Sequence, residues 1–231
     1  MSLDQHIYTY ENGVLRNKLD IMDAELLNKV ELQYTLKAGQ RLLKDKLPDM
    51  TLGVMQGIHQ KLFSAIYPWA GELRQTNISK NRTVFANAED IAFGCDNVFR
   101  SLGEHDNYQK VRKEDFCKGV AQMFCILNDI HPFREGNGRT LRMVVYHVAK
   151  NAGWFLDLSK CNREEYMAAS MAGCNGYFDA MTHLMQKSIK DFPDGRVARN
   201  VRMEREKLLA QQQQQQQSQM SSRRREAYGR V

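Results

Sequence analysis

A helical pattern runs over residues 113–130, with Val120, Phe124, Leu127 and Ile130 on one face. It stops at His131-Pro132 and resumes over 137–151. Two amphipathic helices joined by so short a loop bury their apolar stripes in a shared core, and further helices must cover them. Residues 20–46 are rich in helix formers, with Leu26, Val30, Leu36, Leu42 and Leu43 at roughly helical spacing. Thr51 is a suitable N-cap for a helix reaching Ile66. Helical spacing recurs over 88–102, 162–172 and 177–190. Residues 73–86 differ: β-branched residues flank a polar turn, Ser79-Lys80-Asn81-Arg82, which reads as the chain's one β-hairpin. The expected fold is all-α with one short hairpin. Strands and helices do not alternate, which argues against a nucleotide-binding parallel sheet, and no repeat of 20–50 residues is present.

Phe192-Pro193-Asp194-Gly195 marks a boundary between a domain, 1–195, and a tail, 196–231, that reads as a charged helix fraying through seven glutamines. The chain of 231 residues carries a net charge of +6, but nine Lys/Arg and three Glu lie beyond residue 195. The domain is therefore neutral, and the basic charge is no argument that it binds nucleic acid; such binding by the tail has no further support. No stretch approaches eighteen apolar residues and the N-terminus lacks a basic-then-apolar leader, so no membrane span and no secretory signal are expected. Five cysteines without a CxxC spacing fit free thiols in a reducing compartment, which places the chain in a cytoplasm.

The junction between the two central helices, residues 131–142, reads HPFREGNGRTLR. His131 sits at a helix C-terminus, fixed by Pro132, and an imidazole is the side chain best suited to take a proton near neutrality. Phe133 reads as a core anchor. Glu135 lies beside any phosphate held by the following turn, and one carboxylate with phosphate oxygens and waters is the usual way a protein holds Mg²⁺. Gly136 and Gly138 allow positive φ and close approach, so N–H groups around Asn137 can form an anion nest at a helix N-terminus. Arg139 and Arg142, three residues apart, share one helix face; two guanidiniums at that pole suit a polyphosphate.

Residues 131–142 resemble the Fic family motif, H-x-F-x-[D/E]-G-N-G-R-x-x-R, at every specified position. YPWAGELR at 67–74 and the hairpin at 76–86 resemble that family's flap, and the resemblance extends over about residues 7–190. It implies a Fic domain over 1–195 and transfer of AMP from ATP to a hydroxyl side chain of a target protein. By the same resemblance, His131 deprotonates the Ser, Thr or Tyr hydroxyl, and Glu135 holds Mg²⁺ bridging the α- and β-phosphates. Gly136, Asn137 and Gly138 bind the α-phosphate, while Arg139 and Arg142 bind the β- and γ-phosphates. The flap residues Ile78, Ser79 and Lys80 register an extended target segment by strand addition. Asn162 and Tyr166 are candidates for the wall of the base pocket, with a helix N-cap and a boundary aromatic as their alternative roles.

Two branches of the family depart from this chemistry. A kinase-like branch carries Ala-Asn-Lys where this chain has Gly136-Asn137-Gly138, and a phosphocholine-transferring branch carries Ala at the first of these. Many members are silenced by an inhibitory helix, [S/T]-x-x-x-E-[G/N], whose Glu pairs with the second motif arginine. Here only Glu135 precedes a Gly and only Glu11 an Asn, with His131 and Ile7 four residues earlier, so neither fits. Ser222 and Glu226 have the first spacing but Ala227 follows. The resemblance is therefore to members controlled by a separate small helical antitoxin, or to effectors delivered into a host cell.

Overall fold

The computed structural model describes residues 3–80, 83–108, 111–159 and 161–191. The tail at 196–231 with its Ser222–Glu226 spacing, the boundary at 192–195 and the Asn81-Arg82 turn fall outside the described residues. Eight helices are described: α1 (Leu3–Tyr8), α2 (Ala24–Leu42), α3 (Leu52–Phe63), α4 (Ile91–Glu104), α5 (Lys113–Ile130), α6 (Asn137–Asn151), α7 (Arg163–Cys174) and α8 (Asp179–Ser188). None is long and apolar enough to cross a membrane.

Local chemistry sets the helix starts. Asp23 accepts from the Leu26 N–H at 2.7 Å and Thr51 from the Val54 N–H at 3.2 Å, each satisfying a first-turn donor that has no intrahelical partner. Helix α5 is the hub: Phe116, Val120, Phe124, Leu127 and Ile130 are buried, and it packs on α4, α6, α7 and α8. The α7 backbone comes very close there, because a Cβ on Gly173 would lie 2.2 Å from the Cys125 sulfur. All five cysteines are free thiols, three of them buried.

The hairpin lies where the sequence places it, with β1 (Ser79–Lys80) antiparallel to β2 (Thr83–Val84). A second pairing is not local: β3 (Phe155–Leu156) runs antiparallel to β4 (Ile189–Lys190). Helix α8 consequently ends at Ser188 rather than continuing to Lys190, because Ile189 turns extended to pair with Leu156 and is fully buried. Helix α2 also corrects the sequence reading. Leu26 and Leu36 are half-exposed, whereas Leu27, Glu31, Thr35 and Leu42 face inward. Two polar residues occupy the buried face of α2 because their partners are Tyr67, in the loop after α3, and Arg139 on α6.

Candidate active site

Helix α5 ends on His131 in the left-handed region, φ 52° and ψ 61°, with its N–H donating to the Leu127 carbonyl at 3.1 Å. The imidazole Nδ1 lies 3.0 Å from the Asn128 carbonyl. A carbonyl only accepts, so Nδ1 carries the proton and Nε2 keeps its lone pair. Phe85, just past β2, stacks on the ring with centroids 3.8 Å apart. Burial pushes the His131 pKa down to about 4, against the opposing pull of the Asn128 carbonyl and Glu135, so the ring is neutral at pH 7.

The loop after His131 is held from beneath. Phe133 is fully buried and stacks on His59 of α3 at 3.9 Å. The His59 Nδ1 accepts from the Gly71 N–H at 2.8 Å, which leaves Nε2 to donate to the Glu135 carbonyl at 3.0 Å. The Asn137 amide is turned inward: its Oδ1 accepts from the Phe133 N–H at 2.9 Å and its Nδ2 donates to the Phe133 carbonyl at 2.7 Å. The side chain braces the loop, and what Asn137 can offer a phosphate from this position is its N–H.

The two glycines differ in kind. Gly136 has φ 83°, and a Cβ there would lie 2.3 Å from the Phe63 ring. Gly138 is helical without positive φ, and a Cβ there would meet only the Arg142 guanidinium at 3.5 Å. The expectation of a left-handed backbone thus holds for Gly136 and not for Gly138. The Gly136 N–H donates to the Glu135 carboxylate at 2.8 Å, so the N–H groups left to open α6 are those of Asn137, Gly138 and Arg139. They form the positive end of a fifteen-residue helix dipole.

The arginines also part company. Arg139 is tied to the buried Glu31 carboxylate, which also receives the Tyr67 hydroxyl, and the guanidinium lies 4.8 Å from the Phe63 ring centroid. It is an internally paired charge. Arg142 has no carboxylate within 4 Å among the described residues and lies over the Tyr166 ring at 5.9 Å. Tyr166 packs edge-on against Phe124, and burial raises its pKa while Arg142 lowers it. Asn162 takes the capping role: its Oδ1 accepts from the Glu164 N–H at 2.9 Å. Glu135 is 45% exposed at the mouth of the site, and no group of three or more His, Cys, Asp or Glu able to hold a metal occurs among the described residues. A lone carboxylate open to solvent beside a helix N-terminus fits a cation shared with phosphate oxygens rather than a protein cage.

Ser79 and Lys80 are exposed, and Ile78 accepts the Phe85 N–H at 3.4 Å, which closes the hairpin's root. A cavity of about 640 Å³ lies beside that root, lined by Asp4, Gln75, Asn77 and Glu89 and by no residue of 131–142. Four residues that position the site escape the sequence reading: Glu31, His59, Arg74 and Phe85. Each acts through a partner far along the chain, so no local spacing marks it. Arg74 comes closest to being marked, since it ends the YPWAGELR stretch that resembles the flap's approach.

A family model described as Fic/DOC family matches residues 49–149. Protein adenylyltransferase VbhT of Bartonella schoenbuchensis is 31% identical over 190 residues, covering 80% of this chain and 39% of that protein. The probable protein adenylyltransferase y4lH of Sinorhizobium fredii is 32% identical over 167 residues, covering 71% of this chain and 84% of that one. The crystal structure of the N-terminal FIC domain of Bep8, a VirB-translocated effector of Bartonella sp. 1-1C, superposes with a TM-score of 0.75 at 27% identity. That match covers 82% of this chain and 96% of the other. The chain spans 39% and 37% of the lengths of the two Bartonella curated relatives it matches, and most of the shorter rhizobial one. Helical architecture, hairpin, loop geometry and these likenesses agree, and the chain belongs to the Fic/DOC family.

Proposed function

We propose that the protein is a nucleotidyltransferase that moves AMP from ATP to a Ser, Thr or Tyr hydroxyl of a target protein. One observation carries the reading: a neutral imidazole, protonated on Nδ1 by its bond to the Asn128 carbonyl, offers Nε2 at the loop that opens α6. The target hydroxyl gives its proton to Nε2 as its oxygen bonds to the α-phosphorus. The bond from that phosphorus to the bridging oxygen breaks, and pyrophosphate leaves. The N–H groups of Asn137, Gly138 and Arg139 face the phosphates, and Arg142, free of any described carboxylate, takes the terminal ones. Arg139 contributes less directly than the resemblance implies, because Glu31 already pairs with it. Glu135 is the residue that would hold Mg²⁺, which would supply neutralising charge to the phosphates. The names of the matched relatives, protein adenylyltransferases, support the same reaction.

The flap takes the target. Among the described residues strand β1 pairs only with β2, so an extended segment can add along Ser79 and Lys80 toward His131, whose ring Phe85 covers. Control comes from outside the domain: Arg142 lacks a described carboxylate, which fits silencing by a small helical antitoxin bearing [S/T]-x-x-x-E-[G/N]. The protein works in a cytoplasm, its own or that of a host if it is delivered as Bep8 is. The likeness to that effector supports the second setting.

Gly136 favours AMP over the alternatives. The branches that transfer phosphate or phosphocholine carry Ala at this position, and here a Cβ would strike Phe63 at 2.3 Å. The test is to incubate the protein with ATP, Mg²⁺ and a bacterial lysate and to weigh the adduct on the modified protein by mass spectrometry. An AMP adduct is expected; phosphate, UMP or phosphocholine overturns the assignment.

A further inference from the structure

Arg74 is among the largest fully buried side chains of the protein, 2% exposed. A buried guanidinium is costly unless its donors are satisfied, and a carboxylate is the usual partner. Here main-chain carbonyls take that role, and they come from two separate parts of the site. Nε donates to the His131 carbonyl at 2.8 Å and Nη2 to the Ile130 carbonyl at 3.1 Å, both at the C-terminal end of α5. Nη1 donates to the Thr76 carbonyl at 2.6 Å and Nη2 also to the Ala86 carbonyl at 2.5 Å, on the two sides of the hairpin's root. The Arg74 N–H donates to the Pro132 carbonyl at 2.9 Å.

This arrangement resolves two local problems at once. The last carbonyls of α5 lack intrahelical donors and carry the negative end of its dipole, so a cation is favoured there. His131 holds a left-handed backbone at φ 52°, which an L-residue adopts only when its surroundings enforce it. The guanidinium fixes the carbonyl of that same residue. Its rigid fork reaches the hairpin root on the other side, from which Phe85 extends to stack on the imidazole 3.8 Å away.

We propose that Arg74 is a positioning residue that couples the flap to the base: one buried guanidinium sets the hairpin's root and the His131 backbone in a single geometry. A target strand added to the flap is thereby registered against the imidazole that takes its proton. Lysine cannot replace it, because one ammonium cannot reach carbonyls on both sides. The proposal builds on AMP transfer as the function, and its test separates the two.

In ¹³C-histidine-labelled protein, the ring current of Phe85 displaces the His131 imidazole resonances. In Arg74→Lys those resonances should move toward the positions they take in Phe85→Ala, and the transfer rate should fall between about ten- and a hundred-fold, as for a misplaced catalytic group. Partial unfolding would lower their intensity without moving them. Resonances at their parental positions with at least half the parental rate overturn the proposal, as does a rate loss matched only by lost intensity. If the parent transfers no AMP, the functional reading fails while the resonance shift still decides the coupling. Where Arg74→Lys does not fold, native-state hydrogen exchange of the unaltered chain decides. The amides of Arg74, Ala86 and His131 should open as one unit of equal free energy, and separate opening of the flap root and the α5 end overturns the coupling.

Discussion

Replacing each glycine of the Gly136-Asn137-Gly138 turn by alanine should have opposite consequences, although the sequence presents them as a symmetric pair. At Gly136 the backbone sits at φ 83°, and forcing an L-residue there costs about 1–2 kcal/mol. The new Cβ would also lie 2.3–2.4 Å from two carbons of the Phe63 ring, which is itself fully buried and pinned under Arg139. Overpacking of that kind adds roughly 1–3 kcal/mol. The total of about 2–5 kcal/mol is a large share of the stability of an ordinary domain and corresponds to a Tm lower by roughly 4–20 °C. Gly138→Ala meets nothing nearer than 3.5 Å and replaces a helical glycine, so it should be neutral or stabilise by up to about 1 kcal/mol. Thermal unfolding followed by circular dichroism compares the two variants directly. Equal Tm changes, or a larger loss for Gly138→Ala, would refute the geometric argument for the loop.

Other outcomes follow from the same geometry. His59, His131 and His147 are all held by burial near pKa 4, whereas in the unfolded chain each titrates near 6.5. The unfolded state binds more protons between these values, so Tm should be steady between about pH 6.5 and pH 8 and fall progressively toward pH 4; a flat profile from about pH 6.5 down to pH 4 contradicts this. Glu31→Gln removes the nearer of the two described carboxylates beside Arg139, leaving Glu135 at 3.7 Å, and should lower stability by about 1–3 kcal/mol in urea denaturation; an unchanged midpoint would mean the Glu31 pair contributes nothing. Arg142→Ala should weaken ATP more than ADP in calorimetric titration; equal weakening would place the guanidinium away from the terminal phosphate. Removal of residues 196–231 should leave the transfer rate unchanged, and a several-fold gain would point to internal inhibition by the tail.

The bounds of α5 and α6 were legible to the residue because a strong helical period stops at Pro132 and restarts after Gly136. The hairpin was legible from its polar turn, and the Thr51 cap from its position before an apolar run. What was hidden depends on partners distant in sequence. Helix α2 has leucines on a face that remains exposed, because the face turned inward carries Glu31 and Thr35 to meet Arg139. Arg74 ends a stretch that resembles the flap's approach, but no local spacing marks it as buried; its guanidinium is satisfied by carbonyls that include those of Ile130 and His131. The β3–β4 pairing joins segments on either side of α7 and α8, and no turn signal announces it. In the motif itself the residue types were legible but their conformations were not. The same letters place Gly136 in the left-handed region, Gly138 in a helix and the Asn137 amide against Phe133.

The central claim is that His131 Nε2 takes the hydroxyl proton while the α-phosphate moves to the target. The direct measurement uses ATP labelled in turn at the α- and the γ-phosphate, with the parent protein and His131→Ala, in a lysate containing Mg²⁺. Relative to the same lysate without the protein, added protein-bound label is expected only from the α-phosphate and only with the parent. His131→Ala should bind ATP as the parent does, since the imidazole does not hold the phosphates, yet transfer less than about a hundredth as fast. Added protein-bound label from the γ-phosphate, or more than roughly a tenth of the parental rate in His131→Ala, contradicts the claim.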